Sequence, residues 1–200
     1  MTVDTRTRMI ETTARLLQHR GFHGTSLSDI LQESGSPRGS LYFHFPGGKT
    51  QLAVEATRAG VDEATEALKD ALANASTPAR AVRQFMEEAA AIMRSSDYTF
   101  GCPVAPVILD AAGGVDELAE LCREAFETWV GMLRQAFVDS GVPLRRAEAL
   151  ALLIESSIEG LLLISRASRD PKALTIVAAE LEEIIETAMP PRQAGPPAQD

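Results

Sequence analysis

One short run concentrates groups able to hydrogen-bond to a nucleic acid: Arg38, Gly39, Ser40, Tyr42 and His44, with Lys49 just beyond it. An arginine guanidinium can donate two parallel hydrogen bonds to a guanine edge, and a glycine lets the backbone come close to the bases. Serine, tyrosine, histidine and lysine reach phosphate or sugar oxygens, which fixes register without reading sequence. Leu41 and Phe45, four residues apart, are expected to face inward, so the polar groups would share the other side of one helix.

Other candidates for chemistry fail on spacing. Gly48-Lys49-Thr50 imitates the end of a phosphate-binding loop, but Phe43 stands where that motif needs its first glycine. His19 and His23 have the spacing of a metal pair, yet Gly21 lies between them where a helix is expected to end, and no Glu-x-x-His accompanies them. Neither G-x-S-x-G nor H-E-x-x-H occurs. The two cysteines, Cys102 and Cys122, form no C-x-x-C pair, and no basic neighbour in sequence lowers the pKa of Cys102. We therefore expect no catalytic residues, no metal and no cofactor.

The elements that position these residues are read as helices throughout, because no stretch alternates with the period of a strand. The first helix is expected over residues 3–18, with Gly21 as a left-handed cap. Ser26 followed by Asp29 is a capping-box variant opening a helix over 26–33, closed by Gly35. Ser36 and Pro37 start a third helix over 37–45, stopped by Pro46-Gly47-Gly48. Two short helices joined by a tight turn and packed on a longer one make a helix-turn-helix, the second being the recognition helix. Further helices are expected over 49–72, 78–94, 104–112, about 25 residues after Gly113-Gly114, 144–168 and 171–188. The proline-rich tail, 190–200, is expected to be disordered.

Charge divides the chain in the same place. The net charge is −9, but residues 1–49 carry +2 and residues 50–200 carry −11, and all three histidines lie in the first part. Two functional regions are implied, residues 1–49 and residues 50–189, the first being the one whose charge suits DNA. The N-terminus lacks the apolar run of a signal peptide, and the apolar stretch 147–164 is interrupted by Glu148, Glu155 and Glu159, so a cytoplasmic protein without a membrane span is expected.

The run Gly35-Ser36-Pro37-Arg38-Gly39-Ser40-Leu41-Tyr42-Phe43-His44-Phe45, with Thr25-Ser26-Leu27-Ser28-Asp29-Ile30 before it, resembles the TetR family of transcriptional repressors. Phe45-Pro46-Gly47-Gly48-Lys49, Gly101-Cys102-Pro103-Val104-Ala105 and Glu159-Gly160-Leu161 look like the branch that includes lincomycin-resistance and flavonoid-responsive repressors. The resemblance implies DNA contacts by Ser28, Arg38, Gly39, Ser40, Tyr42, His44 and Lys49. Ser36 and Pro37 depart from the family's usual apolar residue and serine, and a glycine is added before Lys49. The resemblance also implies an inducer pocket in the middle helices, where Phe85, Met86, Met93, Phe100, Phe126, Trp129 and Met132 concentrate the large adaptable side chains; Cys102 is placed with them.

In the last two helices, Leu150, Ile154, Ile158 and Leu161 on one and Leu174, Val177, Leu181 and Ile184 on the other form stripes broader than one core seam requires. They are expected to pair across a two-fold axis. The resulting expectation is an all-α, homodimeric, one-component repressor that binds a pseudo-palindromic operator and is released by an apolar small molecule. The alternative is a non-enzymatic all-α module whose first three helices dock a protein.

Overall fold

The structure is a computed structural model that describes residues 4–111 and 114–190. The proline-rich tail from residue 191 and the start of the first helix before residue 4 lie outside the described residues. Within them the chain is helical and contains no strand.

α1 (Thr5–Arg20) is capped by Asp4, whose carboxylate accepts the Arg6 backbone N–H at 3.0 Å. It ends at Gly21, where φ is +70° but ψ is −176°, so the glycine is needed yet the cap is extended rather than the left-handed turn expected. α2 (Leu27–Ser34) carries the full capping box: Ser26 accepts from the Asp29 N–H and Asp29 accepts from the Ser26 N–H. Gly35 closes it in the left-handed region. α3 (Arg38–His44) follows, one residue shorter at each end than the sequence reading.

Leu41 and Phe45 are fully buried and join Met9, Leu16, Ile30 and Leu52 in a small core that belongs to the first three helices and the start of α4 (Gly48–Asn74). Burial of each such side chain contributes about 1.5–3 kcal/mol, enough to fix the angle of a seven-residue helix that could not persist alone.

A larger core fills the rest: α4 beyond its first turn, α5 (Pro78–Ser95), α6 (Ala105–Ala111), α7 (Asp116–Asp139), α8 (Leu144–Ser168) and α9 (Lys172–Ala188). α5 opens on a Thr77 cap with Pro78 in its first turn. It packs along α9, where the nearly buried Glu182 receives Arg83 at 2.7 Å and Arg80 at 3.3 Å. The Arg83 guanidinium, first, and then Arg80 hold the Glu182 carboxyl below its ordinary pKa. No described helix is long and apolar enough to cross a membrane.

Candidate DNA-binding surface and ligand cavity

The capping box and the Leu41/Phe45 anchor turn the opposite side of α3 outward. Arg38, Gly39 and Tyr42 are exposed, Ser40 and His44 half-buried, and Ser28 is exposed on the adjoining turn of α2. Ser28, Arg38 and Tyr42 converge on one hollow of about 90 Å³ with Leu27, Leu31 and Leu41.

Arg6, Arg15 and Arg20 are bound to Glu55, Glu33 and the Asp29/Glu33 pair, whereas Arg38 has no ion-pair partner among the described residues. It is the cation that the module leaves available on its recognition face. A Cβ added to Gly39 would meet nothing within 4 Å. A glycine there costs the helix about 0.5–1 kcal/mol, and nothing inside the fold requires it.

Lys49 departs from the expected geometry. Its Nζ lies 4.2 Å from the centroid of the Phe22 ring, and burial lowers its pKa in spite of the Asp110 carboxylate. Gly48, at φ +64°, turns the chain so that this lysine packs back onto the module. Sequence reasoning missed Phe43, which is 80% exposed beside Tyr42 with its ring edge-on to His44 at 4.9 Å. Its neighbours' polarity hid it, although an aromatic off the inward spacing of Leu41 and Phe45 was the available signal.

The second region encloses a cavity of about 170 Å³ between α4, α5, α7, α8 and the segment before α6. Of the residues expected to line it, Phe85, Phe100, Cys102 and Trp129 do. Met86 and Met93 do not; they are fully buried in the core, since flexible side chains at helical spacing serve packing as readily as a pocket. Phe126 and Met132 also fall outside the lining and pack against the core, Phe126 edge-on to Trp129 at 5.7 Å. The Trp129 indole N–H donates to Thr65 Oγ1 at 2.9 Å, which fixes the ring in the wall.

Four glutamates were not foreseen as lining: Glu63 of α4, Glu88 of α5, and Glu155 and Glu159 of α8. The signal was present, because two acids four apart in the most apolar stretch of the chain share one face and need a reason to be there. Burial, then the neighbouring Glu159, pushes the Glu155 carboxyl up to about 8. Burial likewise raises Glu159, and the neighbouring Cys102 thiol opposes the rise. The thiol is in turn pushed far up by burial and by Glu159, so it stays protonated and unreactive.

The helical body that holds the cavity meets the N-terminal three-helix module at three further points. Gln18, at the end of α1, lines the cavity. Arg166 of α8 donates to the Gln18 carbonyl at 3.2 Å and to the Thr99 and Phe100 carbonyls, both at 3.0 Å, tying α1 to the cavity loop. At the far end of α6, Asp110 accepts the His23 backbone N–H at 2.8 Å and presses on Gly21, where a Cβ would come within 2.5 Å of its carboxylate. The sequence offered α4 alone as the connection.

The expected dimer stripes require correction. Leu150, Ile154, Ile158, Leu161, Leu174 and Leu181 are buried inside this chain, Ile158 also lining the cavity, and Val177 is half-buried against the same core. Only Ile184 is open to a second molecule, at 37% exposure. The apolar surface that is open comprises Leu152, Leu153, Leu163 and Ile164 of α8 with Ile176 and Ile184 of α9.

A three-helix module with an outward third helix, set on a helical body, has the architecture of a helix-turn-helix transcriptional regulator. Residues 9–56 match the profile of the bacterial regulatory proteins of the TetR family, and the chain belongs to that family. Residues 78–180 match the C-terminal domain of LmrA/YxaF-like transcriptional regulators.

Among its relatives, the HTH-type transcriptional regulator Rv0196 of Mycobacterium tuberculosis is 35% identical over 192 residues, covering 94% of this chain and 97% of that protein. The HTH-type transcriptional regulator LmrA of Bacillus subtilis is 29% identical over 182 residues, covering 91% and 97%. Both are regulators rather than enzymes. A solved structure of a cysteine mutant of the TetR family regulator CifR, in complex with a 26 bp double-strand operator, has the same fold with a TM-score of 0.75, 20% identity, and coverage of 95% and 98%.

Proposed function

We propose that this regulator represses transcription by binding a pseudo-palindromic operator as a homodimer, and that a small molecule with a largely apolar body, bound in the cavity, releases it. The observation that carries the reading is α3: anchored by Leu41 and Phe45, it presents an unpaired Arg38, a glycine with no internal purpose, and Tyr42 on one exposed face. Arg38 reads a base edge, Tyr42, Ser28, Ser40 and His44 hold phosphates, and Gly39 permits close approach. Lys49, folded onto Phe22, makes the weakest claim of the set.

A second copy of the chain covers the open face of α8 and α9. Leu152, Leu153, Leu163 and Ile164 recur at helical spacing with Ser156 and Gly160 between them, so two such helices can approach closely about a two-fold axis. Ligand occupancy is read out where the cavity meets the module, through α4, Gln18 with Arg166, and α6 with Asp110. A ligand shifts DNA affinity only by its differential binding to the two arrangements of the dimer.

A gel shift on the DNA upstream of the protein's own gene tests the reading. The expected result is a complex that survives excess nonspecific competitor and is weakened by Arg38→Ala. A shift that competitor abolishes, or that the variant leaves intact, contradicts it.

A further inference from the structure

The cavity's composition does not suit a neutral molecule. Its lining contains four carboxylates from three helices, Glu63, Glu88, Glu155 and Glu159, and no lysine or arginine. None of the four has an ion-pair partner among the described residues. Arg166, the guanidinium of α8 closest in sequence to Glu159, is committed to three backbone carbonyls.

Glu155 and Glu159 sit one turn apart in the interior of α8, where they cap no helix end. Burying two like charges side by side opposes folding unless something else is gained. The same space is walled by three aromatic rings, Phe85, Phe100 and Trp129, with Leu68, Leu133 and Leu162. Aromatic faces and carboxylates together attract one kind of guest, a cation with an apolar body. A metal ion does not fit, because no three metal-ligating side chains converge among the described residues.

Resting on the reading of this cavity as the inducer site, we propose that its ligand is a lipophilic cation: a quaternary or protonated amine held by Glu155 and Glu159, on an aromatic or aliphatic body packed against Trp129, Phe85 and Phe100. The volume, about 170 Å³, is close to that of a dry engineered cavity of about 150 Å³ that admits benzene, so one ring enters fully. The exposed Glu63 and Glu88 stand at the mouth between α4 and α5, where they draw a cation in and leave room for a longer body.

The Glu155 carboxyl, pushed up to about 8 by burial and by Glu159, holds its proton at neutral pH. The cation displaces that proton, so affinity rises with pH from about 6 to 8. The groups facing Glu155 across the cavity are Glu159, Glu63, Glu88 and the protonated Cys102 thiol, and none supplies positive charge.

Benzyltrimethylammonium and its uncharged carbon isostere, neopentylbenzene, differ in charge alone and separate this proposal from its rivals. Binding to the full chain is followed by Trp129 fluorescence and calorimetry. The cation is expected to bind at least about tenfold more tightly than the isostere, with proton release at pH 7 visible as buffer-dependent heat.

The double variant Glu155→Gln/Glu159→Gln, which keeps the shape and removes the charge, is expected to abolish the preference and the proton release. Equal or tighter binding of the isostere to the wild-type chain overturns the proposal, as does absence of cation binding at millimolar concentration. Operator release is scored separately in the same samples. If the cation is preferred but leaves the protein on DNA, the inducer reading fails and the ligand assignment stands; if only neutral compounds release it, the reverse holds.

Discussion

Replacing Glu155 with glutamine isolates the energetic consequence of the buried acid. The carboxyl's ordinary value of 4.5 is raised to about 8 in the folded chain, by burial first and by Glu159 second. The folded state therefore binds this proton more tightly than the unfolded state. Its contribution is most favourable below pH 4.5, declines as pH rises from 4.5 to 8, and is constant above. At 1.36 kcal/mol for each pH unit, that interval corresponds to about 5 kcal/mol for a carboxyl wholly removed from water. Water entering by the mouth at Glu63 and Glu88 screens part of the charge, and we expect about half, roughly 2–3 kcal/mol, to be observed. Urea denaturation of wild-type and Glu155→Gln proteins at one chain concentration, at about pH 5, 7 and 8.5, measures it; holding the concentration fixed removes the contribution of dimerisation. The variant is expected to match wild type at pH 5 and to exceed it by 2–3 kcal/mol at pH 8.5. A difference independent of pH, or a variant less stable at pH 8.5, refutes the reasoning.

Three further outcomes follow from the same contacts. Gly39→Ala is expected to stabilise the fold by about 0.5–1 kcal/mol in thermal unfolding while weakening operator binding in fluorescence anisotropy; unchanged affinity removes the close-approach role. Arg38→Ala is expected to relax preference at one base pair by about 1–3 kcal/mol, whereas Tyr42→Ala weakens all sequences alike, and a binding assay across single-base operator variants distinguishes the two patterns. Leu153→Glu, on the open face of α8, is expected to give a folded monomer in sedimentation, whereas Leu181→Glu, inside the core, gives unfolded or insoluble protein. A dimeric Leu153→Glu protein places the interface elsewhere.

What was legible in the sequence is local chemistry. Ser26, Asp29 and Gly35 each act within a few residues, and the structure realises the capping box and the left-handed cap they encode; Ser36 does not cap the third helix, because its hydroxyl donates to the Ser34 carbonyl at 3.4 Å and Pro37 takes the cap position without a side-chain bond. Gly21 was read correctly as a positive-φ position and wrongly as a left-handed cap, since its ψ is extended; Asp110, nearly ninety residues away, fills the space a Cβ would need there, a contact that no local pattern announces. The dimer stripe failed for a related reason. α8 is apolar on more than one side, and periodicity says which residues share a face without saying what covers it. The residues at 150, 154, 158 and 161 pack inward, so the open face is the one at 152, 153, 163 and 164. Composition pointed to the cavity's aromatics, while Glu155 and Glu159 looked only like interruptions of a hydrophobic run.

The central claim is that two copies of this chain present their recognition helices to one face of a duplex. Successive major grooves on that face recur about every 10–10.5 bp. Inserting about 5 bp between the half-sites turns one half-site to the opposite side of the DNA while leaving every base contact available. The account predicts two chains bound per operator in a sedimentation or anisotropy titration, and an affinity that falls by about a hundredfold or more, to the nonspecific level, on the half-turn insertion and largely recovers with a full turn. Binding that is indifferent to the insertion, or one chain per duplex at full affinity, contradicts it.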